Sequence, residues 1–185
     1  MKDKYFLLFF TLLFPLFLSA QLNIGAEGGI IFSNLAKSGT LTDYKTGYYF
    51  GLFNNRDLKR ETRLQGGISI YSLGGQYIQS NDNLRLNYIS LPVDIEKIIW
   101  KRNSLFIQNV SLGIGAYGSY LLSNKAPIKQ SVNDWDTGAK FRLKLQQGSF
   151  WLTLGYMRGF MDLFPGPEKS YTNAFQIGIS LVPGE

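Results

Sequence analysis

No cysteine and no histidine occur anywhere in the sequence. The first absence excludes a disulfide framework, thiolate chemistry and a lipidated N-terminal cysteine. The second removes the commonest general base and metal ligand. Charged residues make up only 17% of the chain, and no basic run interleaved with aromatics suggests nucleic acid as a partner. The only long hydrophobic run stands at the start. Residues 1–20, MKDKYFLLFFTLLFPLFLSA, place Lys2 and Lys4 ahead of an apolar stretch from Tyr5 to Leu18 and close on Ser19-Ala20. This order is that of a secretory signal peptide, and the run is shorter than the roughly 20 residues a spanning helix needs. A mature chain starting near Gln21 is therefore expected. Residues 21–185 form one domain, with 17 Lys and Arg against 12 Asp and Glu, a net charge of +5.

Beyond this leader the chain is repetitive in a simple way. Eight segments alternate in apolarity and are bounded by Gly, Asn, Asp, Ser or Pro. They are Leu22 to Ser33, Lys45 to Asn54, Thr62 to Leu73, Leu86 to Lys97, Leu105 to Leu122, Asp136 to Leu145, Ser149 to Phe160, and Tyr171 to Leu181. Alternation over about ten residues per segment is the signature of transmembrane β-strands. The odd links (34–44, 74–85, 123–135 and 161–170) are longer than the even ones (55–61, 98–104 and 146–148). An up-and-down barrel gathers odd links at one end and even links at the other, and outer-membrane barrels keep the periplasmic turns short. The predicted fold class is thus all-β, an eight-stranded antiparallel up-and-down transmembrane β-barrel.

The two faces of the segments are unlike. In the stretch NYISLPVDIEK, residues 87–97, Ile89, Leu91, Val93 and Ile95 share one parity, while Tyr88, Ser90, Pro92, Asp94 and Glu96 share the other. Segment six sets Ala139, Phe141, Leu143 and Leu145 against Lys140, Arg142 and Lys144, and segment one sets Ile24, Ala26 and Ile30 against Gly25, Glu27 and Gly29. With lipid outside, the charged parity faces an enclosed lumen. Desolvating a charge costs several kcal/mol, so Glu27, Asp94 and Glu96 are expected to pair there with Lys140, Arg142 and Lys144. Aromatics stand near both ends of the segments, and amphipathic rings favour headgroup depth. Tyr48, Tyr88, Tyr120 and Trp135 are assigned to a girdle at the long-loop end, and Trp100 and Trp151 to one at the short-turn end.

Four stretches in order look familiar as a set. They are Tyr88-Ile89-Ser90-Leu91-Pro92, then Gly113 to Leu122 (GIGAYGSYLL), then Asp136-Thr137-Gly138, then Leu154 to Phe160 (LGYMRGF). Together they make the mature chain resemble the small outer-membrane β-barrel family labelled porin-family or PorT-like. The chain departs from such barrels in ending Leu181-Val182-Pro183-Gly184-Glu185 rather than on an aromatic residue. The resemblance implies a Gram-negative cell envelope protein in the outer membrane, in contact with outer-membrane lipid, lipopolysaccharide and the barrel-assembly machinery. Eight strands leave an interior just wide enough for side chains, so a filled lumen is expected rather than a pore.

Chemistry is sparse. Asp82, Asp134 and Asp136 lack the spacing of a calcium loop and read as turn formers, and Gly113-Ile114-Gly115 has no helix after it to make a phosphate loop. No catalytic, metal or cofactor residues are assigned. The leading reading is a non-enzymatic barrel acting as anchor, binding surface or assembly component through its loops. Two alternatives stay open: a secreted lipocalin-like binder with the faces reversed, and an outer-membrane enzyme working without histidine.

Overall fold

The computed structural model describes residues 23–37, 40–41, 43–76, 83–102, 106–125, 132–164 and 170–182. The expected signal peptide, the start near Gln21, Asp82 and the last three residues lie outside this set. Each alternating segment forms a strand: β1 (Asn23–Lys37), β3 (Asp43–Asp57), β4 (Thr62–Gln76), β5 (Asn83–Lys101), β6 (Asn109–Lys125), β7 (Trp135–Gln147), β8 (Phe150–Gly159) and β9 (Ser170–Leu181). A two-residue strand, β2 (Thr40–Leu41), doubles back on the end of β1. All neighbours are antiparallel and sequential, and β9 returns to β1 through pairs running from Ala26↔Leu181 to Lys37↔Ser170. The sheet is therefore a closed eight-stranded barrel. Closure removes the free sheet edges that would otherwise leave backbone N–H and C=O groups without partners in lipid.

Several strands run further than their alternation does. β1 continues to Lys37, β4 to Gln76, β5 starts at Asn83 and β6 reaches Lys125, so the first three long links at that end are shorter than expected. The cause is that backbone pairing persists beyond the apolar belt, where outward positions become polar: Arg85, Asn87, Ser123 and Lys125 all belong to paired strand. At the other end β6 begins at Asn109 rather than at Leu105.

Pro92 leaves a visible mark. Between the pairs Gly66↔Val93 and Ser69↔Ser90 the β4–β5 ladder lapses, although the register on either side is the same. Proline has no N–H to give to a ladder, and on its other side the residue still sits opposite Tyr117 of β6.

The large apolar side chains point outward. Ile24 and Ile30 of β1, Phe50 and Leu52 of β3, Ile68 and Ile70 of β4, Val93 and Ile95 of β5, Leu112 and Ile114 of β6, Phe141 of β7, Leu152 of β8, and Ile177 and Ile179 of β9 are all exposed. Every long strand contributes to this continuous apolar surface. A soluble monomer rarely exposes a contiguous apolar patch of more than a few hundred Å². Behind this surface Glu27, Asp94, Glu96, Lys140, Arg142 and Lys144 sit inside instead. That distribution overturns the lipocalin-like alternative, whose apolar face would line the interior.

Candidate functional site

The lumen is filled in three tiers. At the turn end Phe53, Trp151 and Val182 form a small apolar cluster. Above it lie the charges. The loop-end half is packed by Tyr49, Tyr71, Tyr88 and Tyr117 with Ile31, Leu73, Leu84, Leu86 and Met157, and the links contribute Val132 and Leu163 as a cover. This upper tier differs from the expected crowded polar interior. Alternation identifies which face a residue takes, but the inward face here changes from charged to aromatic and aliphatic along its own length.

The charged tier is drawn from three strands. Glu27 comes from β1, Asp94 and Glu96 from β5, and Lys140, Arg142 and Lys144 from β7; all six are buried. Arg142 is the centre. Its Nη1 donates to Glu27 Oε2 at 3.3 Å, and its Nη2 bonds Asp94 Oδ2 and lies 3.3 Å from Glu96 Oε1. Lys144 Nζ reaches Glu96 Oε1 at 2.5 Å and donates to Gln65 Oε1 at 2.5 Å. Its ammonium also stands 4.5 Å from the Trp151 ring centroid and 5.5 Å from that of Phe53, cation–π contacts that join the charged tier to the cluster below. Lys140 is enclosed with the others but makes none of these ion pairs. The tier balances three cations against three carboxylates.

Glycine makes room for these long side chains. Gly115 lies between Asp94 and Lys140 in the β5–β6–β7 rows, and Gly113 between Glu96 and Arg142. A Cβ on Gly115 would collide with Asp94 Oδ1 and the Val93 carbonyl oxygen, whereas one on Gly113 would come 3.1 Å from Glu96 Cγ.

Above the charges runs a further polar group, of hydroxyls and one carboxylate. Tyr71 Oη and Ser119 Oγ are 2.6 Å apart, and Ser119 Oγ donates to Ser90 Oγ at 2.9 Å. Tyr117 Oη donates to Asp136 Oδ2 at 3.2 Å. Asp136 is thus an enclosed strand residue of β7 and not the turn former the sequence suggested.

The aromatic assignments divide. Tyr48, Trp100 and Tyr120 project outward, and Trp135 packs edge-on to Tyr120 at 5.1 Å. Tyr88 and Trp151 do not belong with them: at 0% and 1% exposure they face the lumen. Proximity to a strand end says nothing about face, and parity places Tyr88 with Asp94 and Trp151 with Thr153. Outward neighbours take their places at the rims, notably Phe150 at the turn end and Tyr44 and Phe160 at the loop end.

The arrangement offers little for catalysis. Its carboxylates face cations rather than one another, and among the described residues no cluster of acidic side chains is placed to hold a metal ion.

No protein-family model and no curated protein matches the chain. Solved structures do. The crystal structure of neisserial surface protein A is similar over 86% of this chain and 97% of that one, with 11% identity and a TM-score of 0.54. Ail, the attachment invasion locus protein of Yersinia pestis, is covered to 99% by 88% of this chain at 12% identity and a TM-score of 0.49. The chain has the fold of a small eight-stranded outer-membrane β-barrel.

Proposed function

We propose that the protein is a non-enzymatic outer-membrane barrel of the PorT-like kind. It is closed to solutes and works through its loop end, as an anchor or binding surface in contact with lipopolysaccharide. The observation that carries this reading is the tie of Arg142 to Glu27, Asp94 and Glu96, which spans the lumen between β1, β5 and β7. An ion or solute would have to break it. The outward Tyr48, Tyr120 and Trp135 form one interfacial girdle and Trp100 with Phe150 the other, with the short turns on the periplasmic side. The four ordered motifs support the family, and the absence of histidine supports a non-enzymatic role.

Purified protein in planar bilayers tests the closure. Heat-modifiable gel migration should report a folded barrel, and the inserted protein should give no steady conductance. A stable nanosiemens-scale conductance would overturn the closed-lumen reading.

A further inference from the structure

The positive charge of this protein is concentrated in one place. Residues 56–63 and 97–102 carry seven Lys and Arg against Asp57 and Glu61, an excess equal to the +5 of the whole of residues 21–185. The lumen tier is balanced, so the rest of the barrel is neutral. These two stretches form and flank the β3–β4 and β5–β6 links, both at the turn end. The β7–β8 turn at that same end, Gly148 and Ser149, carries no charge. The excess is therefore one-sided as well as confined to one end.

The patch is also held in shape. Ile98 N donates to the Glu61 carbonyl at 2.9 Å, Lys97 Nζ donates to the Arg60 carbonyl at 2.9 Å, and Leu58 N donates to the Thr62 carbonyl at 2.7 Å. Arg60 and Glu61 take left-handed backbone conformations with φ of 58° and 60°. For residues other than glycine that geometry is uncommon and must be sustained by its surroundings. Arg63 is turned onto Asp57, with Nε at 2.8 Å from Oδ1. Lys59, Lys101 and Arg102 are exposed and carry no side-chain hydrogen bond or ion pair among the described residues. Between them stand Leu58, Ile99 and Trp100, all exposed.

We infer that this turn-end patch is a binding surface for anionic phospholipid headgroups of the leaflet it faces. The inference rests on the membrane-barrel reading above. Cations alone would suit any polyanion, but a soluble one offers nothing to Leu58, Ile99 and Trp100. A phospholipid presents phosphate to Lys59, Lys101 and Arg102 while its glycerol and upper acyl region lies against the apolar side chains. One-sided placement means that the lipids gather beside β3 to β6, next to one part of the barrel wall.

Trp100 is a built-in reporter, since brominated lipid quenches tryptophan on contact. Trp135→Phe removes the loop-end tryptophan, and Trp151 is shielded in the lumen. In vesicles of phosphatidylcholine with brominated phosphatidylglycerol or brominated phosphatidylcholine at low salt, the anionic lipid should associate at Trp100 about fivefold more strongly. The preference should fall to near unity in Lys59→Gln/Lys101→Gln/Arg102→Gln, and in the parent protein at 1 M salt, where the screening length is about 3 Å. Should the triple variant fail to fold, the salt series on the parent carries the test. Equal quenching by both lipids, with heat-modifiable migration intact, overturns the inference and leaves the barrel standing. Equal quenching accompanied by a shift of Trp100 emission on adding soluble polyglutamate also overturns it, assigning the patch to an acidic partner. No quenching by either lipid and no heat-modifiable migration overturns the membrane reading itself.

Discussion

Arg142 of β7 and Asp94 of β5, 48 residues apart in sequence, join inside the barrel through Nη2 and Oδ2, with β6 between their strands. On β6, Gly115 opposite Asp94 and Gly113 opposite Arg142 have no side chains to separate them, and Glu27 and Glu96 meet the same guanidinium. Three carboxylates on one cation are tolerable because Lys140 and Lys144 stand on either side of it along β7. The pair is thus one contact in a balanced group, and its energetics are those of the group.

Replacing Arg142 by Met keeps most of the volume but strands Glu27 and Asp94, while Glu96 keeps Lys144. Truncating one partner of a buried ion pair costs about 3–5 kcal/mol, so Arg142→Met should lower unfolding stability in urea by at least that range. Adding Asp94→Asn should recover part of the loss, because fewer unpaired charges remain. Additive single and double variants would show that the two residues are not coupled.

Glycine substitutions should separate by face. Gly115→Ala drives a methyl into Asp94 and the Val93 backbone and should cost about 1–3 kcal/mol as an overpacked site. Nothing lies within 4 Å of a Cβ on Gly118, so Gly118→Ala should leave stability unchanged to within about 0.5 kcal/mol. Equal effects in equilibrium unfolding would contradict the packing of the β5–β6–β7 rows.

On the outer surface, Ile114 is 57% exposed within the apolar belt. Ile114→Arg should destabilise the barrel in phospholipid vesicles by about 2–4 kcal/mol if the residue lies near the bilayer midplane. In the lipocalin-like arrangement such an outward arginine would be harmless, and that result would reject the membrane surface.

Enclosed and exposed ion pairs should respond differently to salt. Asp57, whose side chain is 64% exposed, pairs with Arg63 at the barrel end; Asp57→Asn should cost no more than about 1 kcal/mol, and less as salt rises. Glu96→Gln should cost several-fold more, with a value that does not change between low and moderate salt. Parallel salt dependence of the two variants would place Glu96 in contact with solvent.

Much of this molecule could be read from period two alone. Alternation gives the face of a residue directly, which is why Glu27, Asp94, Glu96, Lys140, Arg142 and Lys144 could be named as one group. It gives no cross-barrel geometry: that Arg142 gathers three carboxylates while Lys140 joins none depends on register and strand tilt. Tyr88 and Trp151 turn into the lumen because parity, and not nearness to a strand end, decides the face. The apolar upper lumen was hidden for another reason. Leu84 and Leu86 lie on the lumen parity of β5, yet nothing in a single segment shows where along the barrel axis the inward face stops being polar.

Closure of β1 against β9 has a consequence for the order of events in assembly. Ala26 pairs with Leu181, so the first strand waits for the last before its ladder is complete. Contacts between such distant parts of a chain form slowly, since loop-closure entropy is lost before they repay it. Glu27 is carried by that first strand, while its partner Arg142 comes from β7. A half-assembled sheet curling in the bilayer would hold the two apart and leave Glu27 uncompensated beside hydrocarbon. Partial insertion is then the least favourable stage, and the route runs through a chain that rounds up before, or while, it crosses the lipid.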